Sequence, residues 1–222
     1  GRGSSRAMIL PCLLILATIG LVLAIAVGVA LGPPHVETLV SLGSVSTDWA
    51  KIYVQAPASA DGKCAEKVRV VFRPAGDLQS PWGTSGVLAL KGGSKFGMLT
   101  CNVVVKLSQL KPATNYEYLA TLTNNDSPLS GLFTTFPAPG SPSKFTMAIS
   151  SCLGFFPLLP VWPLRYLLPT EVTFLIGDAI YADVPWSLGQ PYEHLYLRLV
   201  QDKSFKALTA KSALFTMYDD HE

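Results

Sequence analysis

The sequence of 222 residues is poor in charge and lacks any run of basic residues. Asp, Glu, Lys and Arg make up 14% of the chain, and the formal net charge is +2. Nucleic-acid-binding domains usually carry a basic patch or basic residues interleaved with aromatic ones, and the sequence shows neither pattern. The glycine-rich GxxxxGKS loop of P-loop nucleotidases is also absent. The sequence therefore gives no indication of nucleic-acid binding or of a P-loop ATPase.

Cysteine is scarce as well, with four residues in the chain. Cys64 and Cys101 both fall in the middle of the sequence, and in a secretory compartment they could form a disulfide. Two buried free thiols are the alternative, because the sequence does not show whether the two Cα atoms are close enough to be bridged. Cys12 lies in an apolar segment and suits a small lipid-facing position.

One long segment contains no charge at all. Residues 8–32 are strongly apolar, and Arg2 and Arg6 precede them. A membrane-spanning helix needs about 20 apolar residues, whereas the core of a signal peptide has about 7–15. We therefore predict that residues 1–34 form a tail and membrane anchor, with the rest of the chain on the extracytoplasmic side. A cleaved signal peptide, with small residues at 30–32 near the cleavage point, is the alternative and would give a secreted protein.

Residues 35–136 are predicted to form a β-sandwich. Short segments that alternate apolar and polar residues are separated by clusters of Gly, Pro, Asn and Asp about every ten residues. The cluster Lys91-Gly92-Gly93 is predicted to be one of these turns. The seven predicted strands are Val36–Val45, Ala50–Gln55, Lys67–Phe72, Gly86–Leu90, Asn102–Leu107, Asn115–Thr123 and Gly131–Phe136.

The segment from Leu110 to Tyr118 resembles the turn into the sixth strand of fibronectin type III modules. In such sandwiches a buried tyrosine bonds the backbone at the corner through its hydroxyl group. Tyr116 is the candidate for this role. Its expected function is structural.

A different pattern follows the Pro- and Ser-rich linker of residues 137–143. In residues 144–222, apolar strands alternate with helical segments, which indicates a parallel sheet with right-handed crossovers. The predicted strands are Lys144–Ser150, Val172–Ile176 and Ala213–Met217, and the predicted helices are Leu164–Leu168, Tyr192–Val200 and Ser204–Thr209.

Polar side chains follow each of these three strands. Cys152 comes after the first, Asp178 and Tyr181 after the second, and Asp219-Asp220-His221 after the third. The carboxyl ends of parallel strands form the rim at which ligands bind in open α/β sheets. Oxygen donors converging there suit a metal cation. A Gly-Asp turn with a packed tyrosine and a solvated charged turn is the alternative.

These segments resemble the alkaline phosphatase D family of metallophosphoesterases. The resemblance is carried by GDAIYADVPW at 177–186, the Tyr192-x-x-x-Tyr196 spacing, the final YDDHE at 218–222 and Ser151-Cys152. The resemblance extends from about Val36 to the last residue. It rests on the order and spacing of the motifs as well as on the single motifs. It implies a fibronectin-III-like sandwich followed by the truncated start of an α/β metallophosphoesterase domain at residues 144–222. The strand pattern independently indicates only the parallel α/β arrangement.

The resemblance also implies iron and calcium as cofactors. It assigns roles to the residues that follow the first two strands of the predicted parallel sheet. Asp178 would bridge two metal ions, and Tyr181 would bind ferric iron as a phenolate. Cys152 would be a thiolate ligand of the same iron. A phenol ionises at neutral pH only beside a strong Lewis acid. Without the resemblance, Cys152 would be a small buried thiol at a strand end.

The terminal residues correspond to the metal- and phosphate-contacting element of related phosphoesterases. The resemblance implies that Asp220 binds a metal and that His221 contacts the phosphate or the leaving group. Asp183, Asp219 and Glu222 are candidates for residues that contact these groups without binding the metal. For Asp183, an exposed acidic residue of the loop is the alternative.

The function implied is hydrolysis of a phosphate ester in which metal ions hold the phosphate and activate water. A secreted phosphodiesterase is a variant of this interpretation. The family's later ligands have no counterpart up to Glu222, so residues 33–222 alone are expected to be inactive. The alternative function is that of a membrane-tethered extracellular β-sandwich that binds a partner without catalysis, and it expects residues 35–136 to fold alone. The sequence does not predict the oligomeric state.

Overall fold

The computed structural model describes residues 36–95, 98–142, 144–153, 170–183 and 192–221. The predicted anchor at residues 8–32, the predicted helix at 164–168 and Glu222 lie outside the described residues. Within these ranges, no helix has both the length and the apolar character needed to cross a membrane.

Strands are the main elements of the described residues. They are β1 (Leu39–Val45), β2 (Trp49–Pro57), β3 (Lys67–Pro74), β4 (Gly83–Ala89), β5 (Lys91–Lys95), β6 (Met98–Ser108), β7 (Asn115–Leu122), β8 (Asn125–Thr134), β9 (Met147–Ser150), β10 (Val172–Ile176) and β11 (Ala213–Met217). The helices are α1 (Tyr192–Gln201) and α2 (Lys203–Thr209).

The first eight strands form two antiparallel sheets. The first sheet has the order β1-β2-β6-β5, and the second has the order β4-β3-β7-β8. With β4 as an additional edge strand of the second sheet, these orders correspond to the immunoglobulin-type sandwich, in which strands A, B, E and D share one sheet and strands C, F and G share the other. Alternate residues point inward and form one buried core, as the period of two along a strand requires. The largest fully buried side chains there are Tyr118, Leu42, Ile52, Leu107, Val54, Val68, Val70 and Val105.

The prediction of seven strands is wrong by one. Residues 91–95, where the Lys-Gly-Gly cluster predicted a turn, form strand β5 along β6. The glycines allow close backbone approach: a Cβ atom on Gly92 would lie 2.4 Å from the carbonyl oxygen of Thr100. Glycine inside a strand often marks such an approach rather than a turn.

Tyr116 occupies the corner predicted for it. Its side chain is buried, and its hydroxyl oxygen accepts a hydrogen bond of 2.9 Å from the backbone amide of Lys111. Its ring stacks on Phe133 with centroids 5.4 Å apart and meets Phe72 edge-on. The structural role predicted for Tyr116 is therefore confirmed.

A disulfide joins Cys64 to Cys101, whose Cα atoms are 5.6 Å apart. Cys101 lies on the inner face of β6 and is fully buried, while Cys64 packs against the same core from the segment that leads into β3. The bridge thus ties the connection between β2 and β3 to strand β6 of the first sheet.

Strands β9, β10 and β11 form a separate parallel sheet with β10 in the centre. The parallel arrangement predicted from strand-helix alternation is confirmed. Asp202 caps α2, since its Oδ1 accepts hydrogen bonds from the amides of Ser204 and Phe205 at 2.8 and 3.0 Å. Apolar side chains of both helices pack with the central strand in a second core, formed by Leu153, Leu175, Ala179, Ile180, Leu195, Leu199, Phe205 and Leu208.

The parallel sheet packs directly against the sandwich. Ala213 of β11 is fully buried in the sandwich core, and Phe215 packs against that core. The carbonyl oxygen of Ala210 accepts hydrogen bonds from the amide of Leu132 at 3.1 Å and the hydroxyl of Tyr118 at 3.5 Å. Strand β11 therefore begins inside the sandwich core and ends at the rim where the predicted metal ligands follow.

Candidate metal site

The turn after β10 places Asp178 at the rim of the parallel sheet. Gly177 has φ +95° and Asp178 has φ +52°, so the chain reverses through two left-handed residues. Asp178 is only 8% exposed, and its carbonyl oxygen accepts a hydrogen bond of 2.9 Å from the amide of Leu153. Non-glycine residues adopt such φ values uncommonly, although Asp tolerates them better than most, and strained backbone positions are enriched at functional sites.

Cys152 and Tyr181 both approach the same carboxylate oxygen. The Sγ atom of Cys152 and the hydroxyl group of Tyr181 are each 3.3 Å from Oδ2 of Asp178. Cys152 also has a positive φ of +56°, which turns the chain after β9 toward this point. The structure therefore brings together the three residues predicted to bind one metal ion.

Residues after β11 complete the cluster. Asp178, Asp220 and His221 each offer one ligand atom, and these three atoms lie within 4.8 Å of one another. The backbone of His221 is held by a hydrogen bond of 2.9 Å from the amide of Ala182 to its carbonyl oxygen. Its ring lies against the ring of Tyr181, with centroids 4.6 Å apart.

Asp183 orients the His221 ring. Nδ1 of His221 lies 2.8 and 2.9 Å from the two carboxylate oxygens of Asp183. This contact fixes the proton on Nδ1 and directs Nε2 away from Asp183 as the nitrogen that can bind a metal or a substrate oxygen. The hydrogen bond to Asp183 is the main cause that raises the pKa of His221, against a smaller opposing effect of desolvation. The contact with Asp183 therefore favours the protonated imidazolium, and in the neutral ring it places the proton on Nδ1.

Asp219, the other described residue predicted to support the ligands, lies beside this cluster. Asp219 is exposed and packs over Gly177: a Cβ atom on Gly177 would lie 2.4 Å from Cβ of Asp219. Sequence reasoning did not pair Asp183 with His221, because 38 residues separate them. Only the parallel register of β10 and β11 brings their strand ends together.

The donor set fits the cations that the sequence resemblance implies. Burial is the largest cause that raises the pKa of Tyr181, followed by its contact with Cys152 and the charge of Asp178. The phenol is therefore neutral until a strong Lewis acid binds it. A thiol and a phenol beside a carboxylate can bind iron, while the oxygens of Asp178 and Asp220 suit a hard cation such as calcium. The residues that would hold the metals are Cys152, Asp178, Tyr181 and Asp220, and His221 lies beside them.

No model of a known protein family matches the sequence, and no curated protein matches it either. Among solved structures, the sensor domain of the anti-sigma factor RsgI4 of Pseudobacteroides cellulosolvens is 15% identical, with 50% of this chain and 92% of that domain covered and a TM-score of 0.34. The third fibronectin III domain of human KIAA0343 protein is 14% identical, with coverage of 51% and 92% and a TM-score of 0.30. A Bacteroides uniformis β-glucuronidase is 11% identical, with coverage of 82% and 27% and a TM-score of 0.32. Similarities of this size establish neither a common fold nor a common activity.

Replacing Gly177 with Ala is expected to destabilise the rim. The left-handed φ costs an alanine roughly 1–2 kcal/mol, and the added Cβ would collide with Asp219. We expect a lower unfolding midpoint in urea. Gly140→Ala is the matched control, since Gly140 also has a positive φ of +79° but no atom lies within 4 Å of its added Cβ. Equal losses for the two variants would show that Asp219 moves aside without cost.

Proposed function

We propose that this chain carries ligands of a metal-dependent phosphate-ester hydrolase, of the alkaline phosphatase or phosphodiesterase type. The observation that supports it best is the convergence of Asp178, Asp220 and His221 within 4.8 Å at the carboxyl ends of parallel strands. The order and spacing of the sequence motifs support the choice of a phosphate ester as substrate. A buried carboxylate beside a thiol and a phenol suits iron, and calcium would bind to the carboxylate oxygens.

The protein's own residues would prepare the site in distinct ways. When bound, the metal ions would hold the phosphate and lower the pKa of a water molecule. Asp178, fixed at its backbone by Leu153, supplies the central carboxylate. Asp183 orients His221 so that Nε2 can bind a phosphate oxygen or donate a proton to the leaving group.

The compartment proposed for this function is extracytoplasmic, either anchored in a membrane or secreted. The disulfide between Cys64 and Cys101 supports this location, because disulfides persist in oxidising compartments. Membrane attachment would come from residues 8–32.

Metal titration tests the proposal. With iron(III) citrate, we expect a visible charge-transfer band from the Tyr181 phenolate that is lost in Tyr181→Phe. Asp178→Asn is expected to weaken metal binding by at least about tenfold. Even the loss of a residue that only hydrogen-bonds a metal ligand lowers metal affinity by about tenfold or more. Asp61→Asn is the control, because Asp61 is exposed and pairs with Lys63.

Two results would contradict the proposal. One is the absence of metal binding to the folded protein, and the other is an unchanged metal affinity in Asp178→Asn. A folded sandwich without metal binding would favour the tethered binding module instead. If metal binds, hydrolysis of p-nitrophenyl phosphate and bis(p-nitrophenyl) phosphate by the longest natural form of the chain distinguishes a monoesterase from a diesterase.

A further inference from the structure

All charged residues in the strands of the first sheet are positively charged. Strands β1, β2, β5 and β6 contain four lysines and no Asp or Glu. Lys51, Lys91 and Lys106 are exposed. On the second sheet, by contrast, Arg73 forms an ion pair with Glu117. The outer face of the first sheet is therefore a cationic surface on a chain of low net charge.

Two of these lysines oppose each other directly. Lys51 and Lys106 are cross-strand partners in the register of β2 and β6, and like charges in that position destabilise a sheet. Both ammonium groups lie 5.5 Å from the ring centroid of Trp49, where cation–π attraction offsets part of the repulsion. Among the described residues, neither lysine has an ion-pair partner. An anion bound at this face would remove the remaining repulsion.

The cations are spread too widely for one small anion. Lys91 lies opposite Asn102, four positions along β6 from Lys106, which corresponds to about 13 Å along the strand. Between these positions, Tyr53 pairs with Val104, which is 54% exposed. Lysine, aromatic and aliphatic side chains on one face match the region of lipid headgroups, where charged tips meet phosphates and apolar parts enter the boundary.

We propose that the outer face of the first sheet, defined by Trp49, Lys51, Tyr53, Lys91, Val104 and Lys106, docks on a membrane surface of anionic phospholipids. Each lysine near such a surface strengthens the attraction to the anionic headgroups, and salt weakens it. This docking is independent of the proposed phosphoesterase function. It would fix the orientation of the sandwich, and with it the rim that carries Asp178, relative to the lipid surface.

The test is lysine footprinting by acetylation and mass spectrometry on the whole chain. We compare vesicles of phosphatidylcholine with vesicles that also contain phosphatidylglycerol; any effect of residues 8–32 is common to both. Lys51, Lys91 and Lys106 are expected to react several-fold more slowly on the anionic vesicles, and high salt should remove the difference. Lys67, exposed on the second sheet, is the internal control and should react equally on both.

A charge-reversed variant distinguishes docking through this face from nonspecific attraction of the whole protein to anionic vesicles. In Lys51→Glu combined with Lys106→Glu, the protection of Lys91 should disappear, whereas Lys67→Glu should preserve it. Equal acetylation on the two kinds of vesicle would overturn the proposal. Protection by dissolved dextran sulfate or an oligonucleotide, but not by anionic vesicles, would overturn it as well and assign the face to a soluble polyanion.

Discussion

Deleting all residues after Pro142 is expected to lower the free energy of unfolding by roughly 3–5 kcal/mol. The loss of a large buried side chain has an effect of this size. The deletion removes Ala213 from the sandwich core and Phe215 from its surface. It also removes the carbonyl group of Ala210, which binds Leu132 and Tyr118. Urea unfolding of both chains, followed by circular dichroism, measures the difference.

Lys206→Ala is the control for this deletion. It breaks the ion pair of Lys206 with Glu37, whose side chains are 27% and 54% exposed, so we expect a loss of at most about 1 kcal/mol. If the shortened chain unfolds at the same urea concentration as the longer one, the sandwich is an independent unit. That result would favour the alternative function of a tethered binding module.

Replacing Cys64 and Cys101 together with Ala is expected to destabilise the protein by about 4 kcal/mol, the effect expected from the entropy of an unfolded loop of this length. The bridge spans 37 positions and ties the connection between β2 and β3 to strand β6. Differential scanning calorimetry of the double variant measures the loss. Cys152→Ala serves as the control, because Cys152 is exposed and unbridged, and it should change the melting temperature little.

A double variant as stable as the natural chain would contradict this reasoning. It would mean that the pairing of the two sheets around Tyr118 and Ile52 restricts the chain without help from the bridge. Reduction of the natural protein by dithiothreitol should reproduce the loss, which separates the effect of the bond from that of the two replaced side chains.

Local patterns predicted much of the fold because their signals lie within a few residues. The alternation in Lys51-Ile52-Tyr53-Val54 indicated a strand with one buried face, and β2 has that pattern. The corner at Tyr116 was predictable because its partner, Lys111, is five residues away. Strand β5, which contains Gly92, was missed because its signal is not local. It forms by pairing with strand β6, and the sequence around Gly92 does not reveal this pairing.

The candidate site was predictable in its parts but not in its contacts. Apolar runs ending in Cys152, Asp178 and Asp220 indicated three strand ends, and their parallel pairing explains why these residues meet. The partnership of Asp183 with His221 depends on the register between β10 and β11, which no sequence period encodes. The opposition of Lys51 and Lys106 likewise follows from the register of β2 and β6.

The position of β11 has a consequence for how the protein is made. The eight sandwich strands leave the ribosome first, at about 5–20 residues per second, and β11 follows much later in the sequence. Until then the patch that Ala213 and Phe215 cover in the finished protein is open to water and to other chains. The nascent sandwich is thus an incomplete intermediate with exposed apolar surface, the kind of species that chaperones hold. Folding of the sandwich and assembly of the rim that carries Asp178 are expected to finish in one step, when β11 arrives.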